Sequence, residues 1–219
     1  MSDSATKPGR YIPALRFERL TALYDPLVAL TTRERAFKAR VLERAAIESD
    51  ESVLDLACGT GTLALAAYAL APGATVSGID GDAAILERAR AKALRAGAPI
   101  EFDKGLSTAL PYAADSFDVV VSTLFFHHLD DDAKRRSAEE ARRVLRPGGR
   151  LIVGDWGRPQ DPAMRLAILP VQLLDGFETT SGNVAGRIPA VLKKAGFAEV
   201  SVTDRMRTPL GTIEIVRAG

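Results

Sequence analysis

The segment Val53–Leu65, VLDLACGTGTLAL, limits the fold more than any other part of this chain. Val53, Leu54 and Leu56 form a short apolar run of strand type. Gly59 and Gly61 follow directly, and Leu63 to Ala67 then open a strong helix former. A strand that enters a helix through glycines brings backbone N–H groups and the positive end of a helix close to a ligand. Asp55 lies near the carboxyl end of the strand, where ligands sit in open α/β sheets.

A lone Gly-x-Gly is a weak signal, but this one has a companion. TVSGID, Thr75–Asp80, reads as a second strand ending in an acid. Asp80 stands about 20 residues beyond the glycines, the spacing at which a carboxylate accepts the ribose hydroxyls in βαβ nucleotide sites. Asp80 or Asp82 can equally cap the helix that follows, AAILERARAKALRA.

The rest of the chain alternates strand and helix. Strands are expected at Ser52–Leu56, Thr75–Asp80, Ile100–Asp103, Phe117–Ser122 and Arg150–Asp155. Helices are expected at Arg16–Leu30, Arg33–Ile47, Thr62–Leu70, Ala83–Ala96 and Ala133–Leu145. Gly73, Gly97 and Pro147-Gly148-Gly149 act as stops. This order makes an α/β fold with a mostly parallel sheet covered on both faces. The end departs from simple alternation. AMRLAILPVQLL reads as a helix interrupted by Pro170, and Ile188–Ala195 as a further helix. Glu199–Asp204 and Gly211–Val216 read as a hairpin joined by about six residues. Neither a repeat nor a linker divides the chain, so residues 1–219 are expected to form a single domain.

Composition excludes several classes. A net charge of +1 leaves no field for nucleic acid or an anionic surface. Cys58 is the single cysteine and reads as small buried lining; with only two histidines, no metal site is expected. No apolar stretch is long enough for a membrane span. MSDSATKPGR lacks the apolar core of a signal peptide, so a cytoplasmic protein is expected.

Further segments complete a pattern. They are LPYAADSFDVVVS (Leu110–Ser122), the FFHHL that follows, LRPGGRLIVGD (Leu145–Asp155) and AGFAEVSV (Ala195–Val202). In this order, with the glycine turn, the chain resembles the class I S-adenosylmethionine-dependent methyltransferases. It is most similar to the small-molecule group that includes the ubiquinone/menaquinone-biosynthesis methyltransferases. The resemblance implies a Rossmann-like three-layer sandwich with seven strands in the order 3-2-1-4-5-7-6, the last-entered one antiparallel. It also implies S-adenosyl-L-methionine as cofactor, with residues 1–47 as a helical lid and residues 157–186 as an insertion that shapes the substrate pocket.

Site residues follow from the matched positions. Asp55, Ala57, Gly59 and Gly61 correspond to the wall around the methionine and ribose, with Asp55 reaching the cofactor's amino group or bracing the turn. Tyr24 matches a lid motif whose hydroxyl could meet the cofactor's carboxylate, and Arg33 could meet the same carboxylate by charge. Many relatives carry an acid for adenine where this chain has Leu106. Apolar packing and backbone groups near Leu106 and Ser107 are then left to hold the ring. The backbone of Ser122 and Thr123 is expected at the methionine end. His127 and His128 are the candidate catalytic bases, His127 preferred, with a loop brace or helix cap as the other reading. As neighbours they are expected to point apart and not to share a role. Trp156 is either an aromatic wall for substrate or a core anchor.

These expectations describe an enzyme that transfers a methyl group in line to a small, apolar or aromatic acceptor, with no nucleic-acid partner. A homodimer is compatible with the apolar insertion. Two rivals remain. A nicotinamide oxidoreductase is disfavoured because Ala64 takes the third glycine's place. A cofactor-binding scaffold without transfer activity is motivated by Leu106.

Overall fold

The structure, a computed structural model, describes residues 33–219. Helix α1 (Glu34–Ala45) buries Phe37, Val41, Leu42 and Ala45 along one face. That face lies on the sheet at Gly154, where a Cβ would stand 2.5 Å from the Phe37 ring. The expected helix at 16–30, with Tyr24, lies outside the described residues.

Strands β1 (Ser52–Leu56), β2 (Thr75–Asp80), β3 (Glu101–Lys104) and β4 (Phe117–Thr123) alternate with helices α2 (Thr62–Leu70) and α3 (Ala83–Ala96). A 3₁₀ turn (Phe126–His128) and helix α4 (Asp131–Val144) then lead to β5 (Leu145–Trp156). Three short helices follow, α5 (Pro162–Ala167), α6 (Leu169–Asp175) and α7 (Phe177–Val184). Helix α8 (Ile188–Lys194) and the hairpin β6 (Val200–Thr208) and β7 (Gly211–Ala218) complete the chain.

The seven strands lie in the order β3-β2-β1-β4-β5-β7-β6. β1 pairs in parallel with β2 and β4, and β5 with β4, whereas β7 runs antiparallel to both β5 and β6. This is the expected sheet, with its one antiparallel strand. Alternate residues of the central strands feed two cores. Val53, Val119, Val121 and Ile152 face α1 to α3. Leu54, Leu56, Val120, Leu151 and Val153 face α4 and α8.

Three local expectations are corrected. The β6–β7 hairpin closes over Pro209 and Leu210 instead of about six residues, because pairing runs on to Thr208↔Gly211. Pro170 starts α6 instead of interrupting a helix, as its missing N–H and fixed φ suit a first turn. The Pro147-Gly148-Gly149 stop lies within the span of β5, which pairs at Phe117↔Leu145 and resumes at Val119↔Arg150 after an irregularity. Among the described residues no helix is long and apolar enough to cross a membrane.

Candidate functional site

The carboxyl ends of β1, β2, β4 and β5 meet along one edge of the sheet, and two groups of residues stand there. The first surrounds the glycine turn. Ala57, Gly59 and Gly61 all adopt positive φ (59°, 53° and 72°), so the chain reverses sharply between β1 and α2. The two glycines serve different ends. A Cβ at Gly59 would meet nothing within 4 Å, so its bare face borders open space. A Cβ at Gly61 would stand 2.9 Å from the Phe102 ring and 3.0 Å from Ala89. Gly61 therefore lets α2 pack against α3 and β3, and only Gly59 leaves room for a ligand at the backbone.

Asp80 braces this turn. Gly59 N–H donates to its Oδ2 (2.9 Å) and Asp82 N–H to its Oδ1 (3.0 Å). Each oxygen keeps a further lone pair for a hydroxyl. Burial raises its pKa against these backbone donors. The cap of α3 falls to Asp82, which accepts from Ala84 and Ile85. Asp55 is fully buried and accepts from Ala64 N–H (3.0 Å) in the first turn of α2. Burial pushes its pKa to about 7, opposed by the charge of Lys38 on α1. In this state Asp55 acts as the brace, one of its two expected roles. Cys58 is buried beside it, and burial pushes its thiol far up, so it is inert lining.

Leu106 is half exposed, in a tight turn closed by a bridge to Ala109. The Ser107 hydroxyl meets Ser137 of α4 at 2.7 Å, so it is occupied within the fold. Ser122 is likewise committed, its hydroxyl donating to Leu56 C=O (2.9 Å) between β4 and β1. Thr123 ends β4 and is half-buried. Arg33 is exposed before α1.

The second group lies beyond β4 and β5. His127 Nδ1 donates to Asp155 Oδ1 (2.7 Å), and its Nε2 lies 3.5 Å from Asp175 Oδ2 at the end of α6. Asp155 also accepts from the backbone N–H of His127 (3.2 Å) and of Trp156 (2.7 Å). Burial opposes charge on His127, yet the two carboxylates outweigh it and raise its pKa to about 9. His127 is therefore an imidazolium at neutral pH, with no lone pair for a proton. Burial and the charge of His127 lower His128 to about 4, so His128 is neutral. Burial works against both carboxylates, but His127 holds Asp155 and Asp175 below their ordinary value.

The two histidines do not point apart. Their rings lie 3.9 Å between centroids at a tilt of 42°. Helix α7 packs on the 3₁₀ turn and confines both rings beside Asp175. Trp156 is buried in the core, its ring 6.4 Å from His127 edge-on, so it is the core anchor.

The insertion divides its residues. Met164, Ile168, Val171 and Val184 pack inward, whereas Leu166, Leu173, Leu174 and Phe177 remain exposed. Lys134 of α4 donates to Thr179 C=O (2.7 Å), and Gln172 Oε1 accepts from Arg165 (2.8 Å). These bonds fasten the short helices over the histidine turn. Three residues of this region escaped the sequence reading: Lys38, Asp175 and Asn183. Lys38 and Asp175 carry charge that only the fold brings to Asp55 and His127. The Asn183 amide is buried without a partner among the described residues.

Comparison with known proteins gives four findings. A methyltransferase domain family matches residues 53–149. A demethylmenaquinone methyltransferase of Thermus thermophilus is 35% identical over 152 residues, 68% of this chain and 68% of that relative. A ubiquinone/menaquinone biosynthesis C-methyltransferase of Syntrophotalea carbinolica is 30% identical over 160 residues, 72% of this chain and 66% of its own length. A methyltransferase structure from Aquifex aeolicus superposes with a TM-score of 0.65 at 18% identity, covering 95% of this chain and 99% of that one, a likeness of fold.

Proposed function

This chain belongs to the class I S-adenosylmethionine-dependent methyltransferases, and we propose that it methylates a small apolar or aromatic acceptor at the carboxyl ends of β4 and β5. The cofactor is S-adenosyl-L-methionine. The open face of Gly59 and the spare lone pairs of Asp80 suit a nucleoside laid against the turn. When bound, the cofactor supplies an electrophilic methyl on a sulfonium sulfur.

The chain's residues then divide the work. Asp80 takes the ribose hydroxyls. Ala57, Gly59 and Gly61 form the wall of the turn, and Asp55 braces it through Ala64. The backbone at Leu106 and Ser107 borders adenine, and that at Ser122 and Thr123 borders the methionine end. Tyr24 of the expected lid, residues 1–47, lies outside the described residues. The observation that carries the acceptor reading is the buried His127–Asp155 pair, with His128 and Asp175, beside this edge. His127 stays charged and orients the acceptor, and the neutral His128 is the group able to accept its proton. Alignment and exclusion of water supply most of the acceleration. Residues 157–186 roof the acceptor.

The relatives are named for demethylmenaquinone, so a quinol-type ring is the first acceptor to try. A cytoplasmic reaction without nucleic acid accords with the near-neutral charge. A homodimer through the exposed Leu173, Leu174 and Phe177 is compatible with this reading. The test is release of S-adenosylhomocysteine with quinols, phenols, enols and amines in turn. Turnover with one class establishes the acceptor chemistry. Cofactor binding with no turnover on any class favours the second reading, a non-transferring protein, for which Leu106 in the acid's place is the specific motive.

A further inference from the structure

We propose that His127, His128 and Asp175 bind a single divalent transition-metal ion of the zinc class, with Asp155 as the carboxylate that orients His127 from behind. This goes beyond the methyl-transfer reading and rests on it only for what the ion would serve; with the ion bound, His127 and His128 are its ligands, and their charged and proton-accepting roles belong to the ion-free chain.

The donors come from two separate segments, the 3₁₀ turn and the end of α6, and one atom from each of the three residues lies within 4.8 Å of the others. Two imidazole nitrogens and one carboxylate oxygen, with positions left open, form a donor set for zinc and its first-row neighbours. Magnesium and calcium prefer oxygen alone. The separation of His127 Nε2 and Asp175 Oδ2 is informative. At 3.5 Å it is long for a charge-assisted hydrogen bond, which lies near 2.7–2.9 Å. It is close to the edge of about 3.3 Å between two ligands on a tetrahedral ion at roughly 2.0–2.1 Å from each.

Behind the donors, the 2.7 Å bond from His127 Nδ1 to Asp155 is the arrangement that fixes the tautomer of a metal-binding histidine and aims Nε2 at the ion. Two carboxylates, Asp155 and Asp175, also stand against the histidine pair, the acidic surroundings that a doubly charged ion requires. Binding replaces the proton on Nε2, which passes to solvent.

Helix α7, which packs on the histidine turn, also carries Asn183, whose amide is buried with neither atom bonded among the described residues. Access is available on one side. Asp155 and His127 are shut away, whereas the Asp175 side chain is 27% exposed and His128 is half-buried. The open coordination positions thus face outward, where an oxygen of the acceptor would bind.

The experiment is a calorimetric titration of the untagged, chelator-stripped full chain with zinc chloride, without cofactor, repeated with cobalt chloride for its absorption bands. One ion per chain is expected, with tetrahedral cobalt bands. His128→Ala and Asp175→Ala should each weaken binding by about 100-fold, and Asp155→Asn by roughly 10–100-fold. The chain's only two histidines are those of the proposed site, and its one cysteine is buried, so another nitrogen–sulfur cluster cannot imitate the result. No saturable binding, or binding that survives both alanine variants unchanged, overturns the proposal. S-adenosylhomocysteine titrated into the same samples reports folding and the cofactor site, so failure of the metal site is distinguishable from failure of the methyltransferase reading.

Discussion

The two ends of the site are built in opposite ways. Around the glycine turn, side chains serve the backbone: Asp80 holds Gly59, and Asp55 holds Ala64. Beyond β4 and β5, side chains serve one another, as His127 binds Asp155 and faces Asp175. The first end is a local design, made within one βαβ unit, and its polar atoms keep spare lone pairs for a ligand. The second joins residues from three separate stretches and keeps its charge buried. A change in the first should therefore act on cofactor affinity, and a change in the second on stability, acceptor and ion.

The largest effect should come from the second end. Asp155→Ala removes the partner of a buried imidazolium and two backbone donors, and should cost about 3–5 kcal/mol by denaturant unfolding. A loss below about 1 kcal/mol would mean that the pair is not a charged one.

The two glycines sharpen the contrast inside the first end. Gly61→Ala places a methyl against Phe102 and should destabilise by about 1–3 kcal/mol. Gly59→Ala should cost only about 1 kcal/mol, for its left-handed backbone. It should nevertheless weaken cofactor binding more than Gly61→Ala does. Equal effects on Tm and on affinity would erase the distinction.

Much of the first end was legible in the sequence because its signals are local. Val53–Leu65 gave strand, turn and helix, and the spacing to Asp80 brought the acid to Gly59. The strands that feed the two cores were equally clear from apolar runs such as Val119, Val120 and Val121. The second end was not legible in the same way. His127 and His128 were visible as candidates, but nothing in LLDGF marks Asp175 as their partner. Only the short helices that start at Pro162 and Leu169 carry it there. The same ignorance of α6 and α7 underlies the expectation that the two imidazoles diverge. The hairpin was called for by the spacing, but its length was not: Arg205–Thr208 alternates between exposed and more buried positions, yet Met206 is its single apolar residue, too weak a signal to extend the strand.

Stability against pH separates the ends further. The folded-state pKa of His127, about 9, lies above its ordinary 6.5. The stabilisation is complete below pH 6.5 and is lost as pH rises toward 9, with a slope of at most about 1.4 kcal/mol per pH unit. Asp55 in the first end, raised to about 7, has the same sign but contributes only from its ordinary 3.8 up to about 7. His128, lowered to about 4, acts oppositely and only below pH 6.5. Unfolding followed from pH 7 to 9 should therefore report His127, and Asp155→Asn should flatten the slope. A flat profile in the parent chain would contradict the assignment. The smallest expected effect is a gain. Leu106→Asp restores an acid at a half-exposed position and should raise cofactor affinity by up to about fivefold, or 1 kcal/mol.

The central claim is that the two ends are separable, one for cofactor and one for acceptor. Calorimetric titration of S-adenosylhomocysteine into the parent chain, Asp80→Ala and Asp175→Asn tests it most directly. Loss of about 1–3 kcal/mol of affinity in Asp80→Ala, with parent-like affinity in Asp175→Asn, is the expected result. Unchanged binding in Asp80→Ala, or an equal loss in both variants, would contradict it.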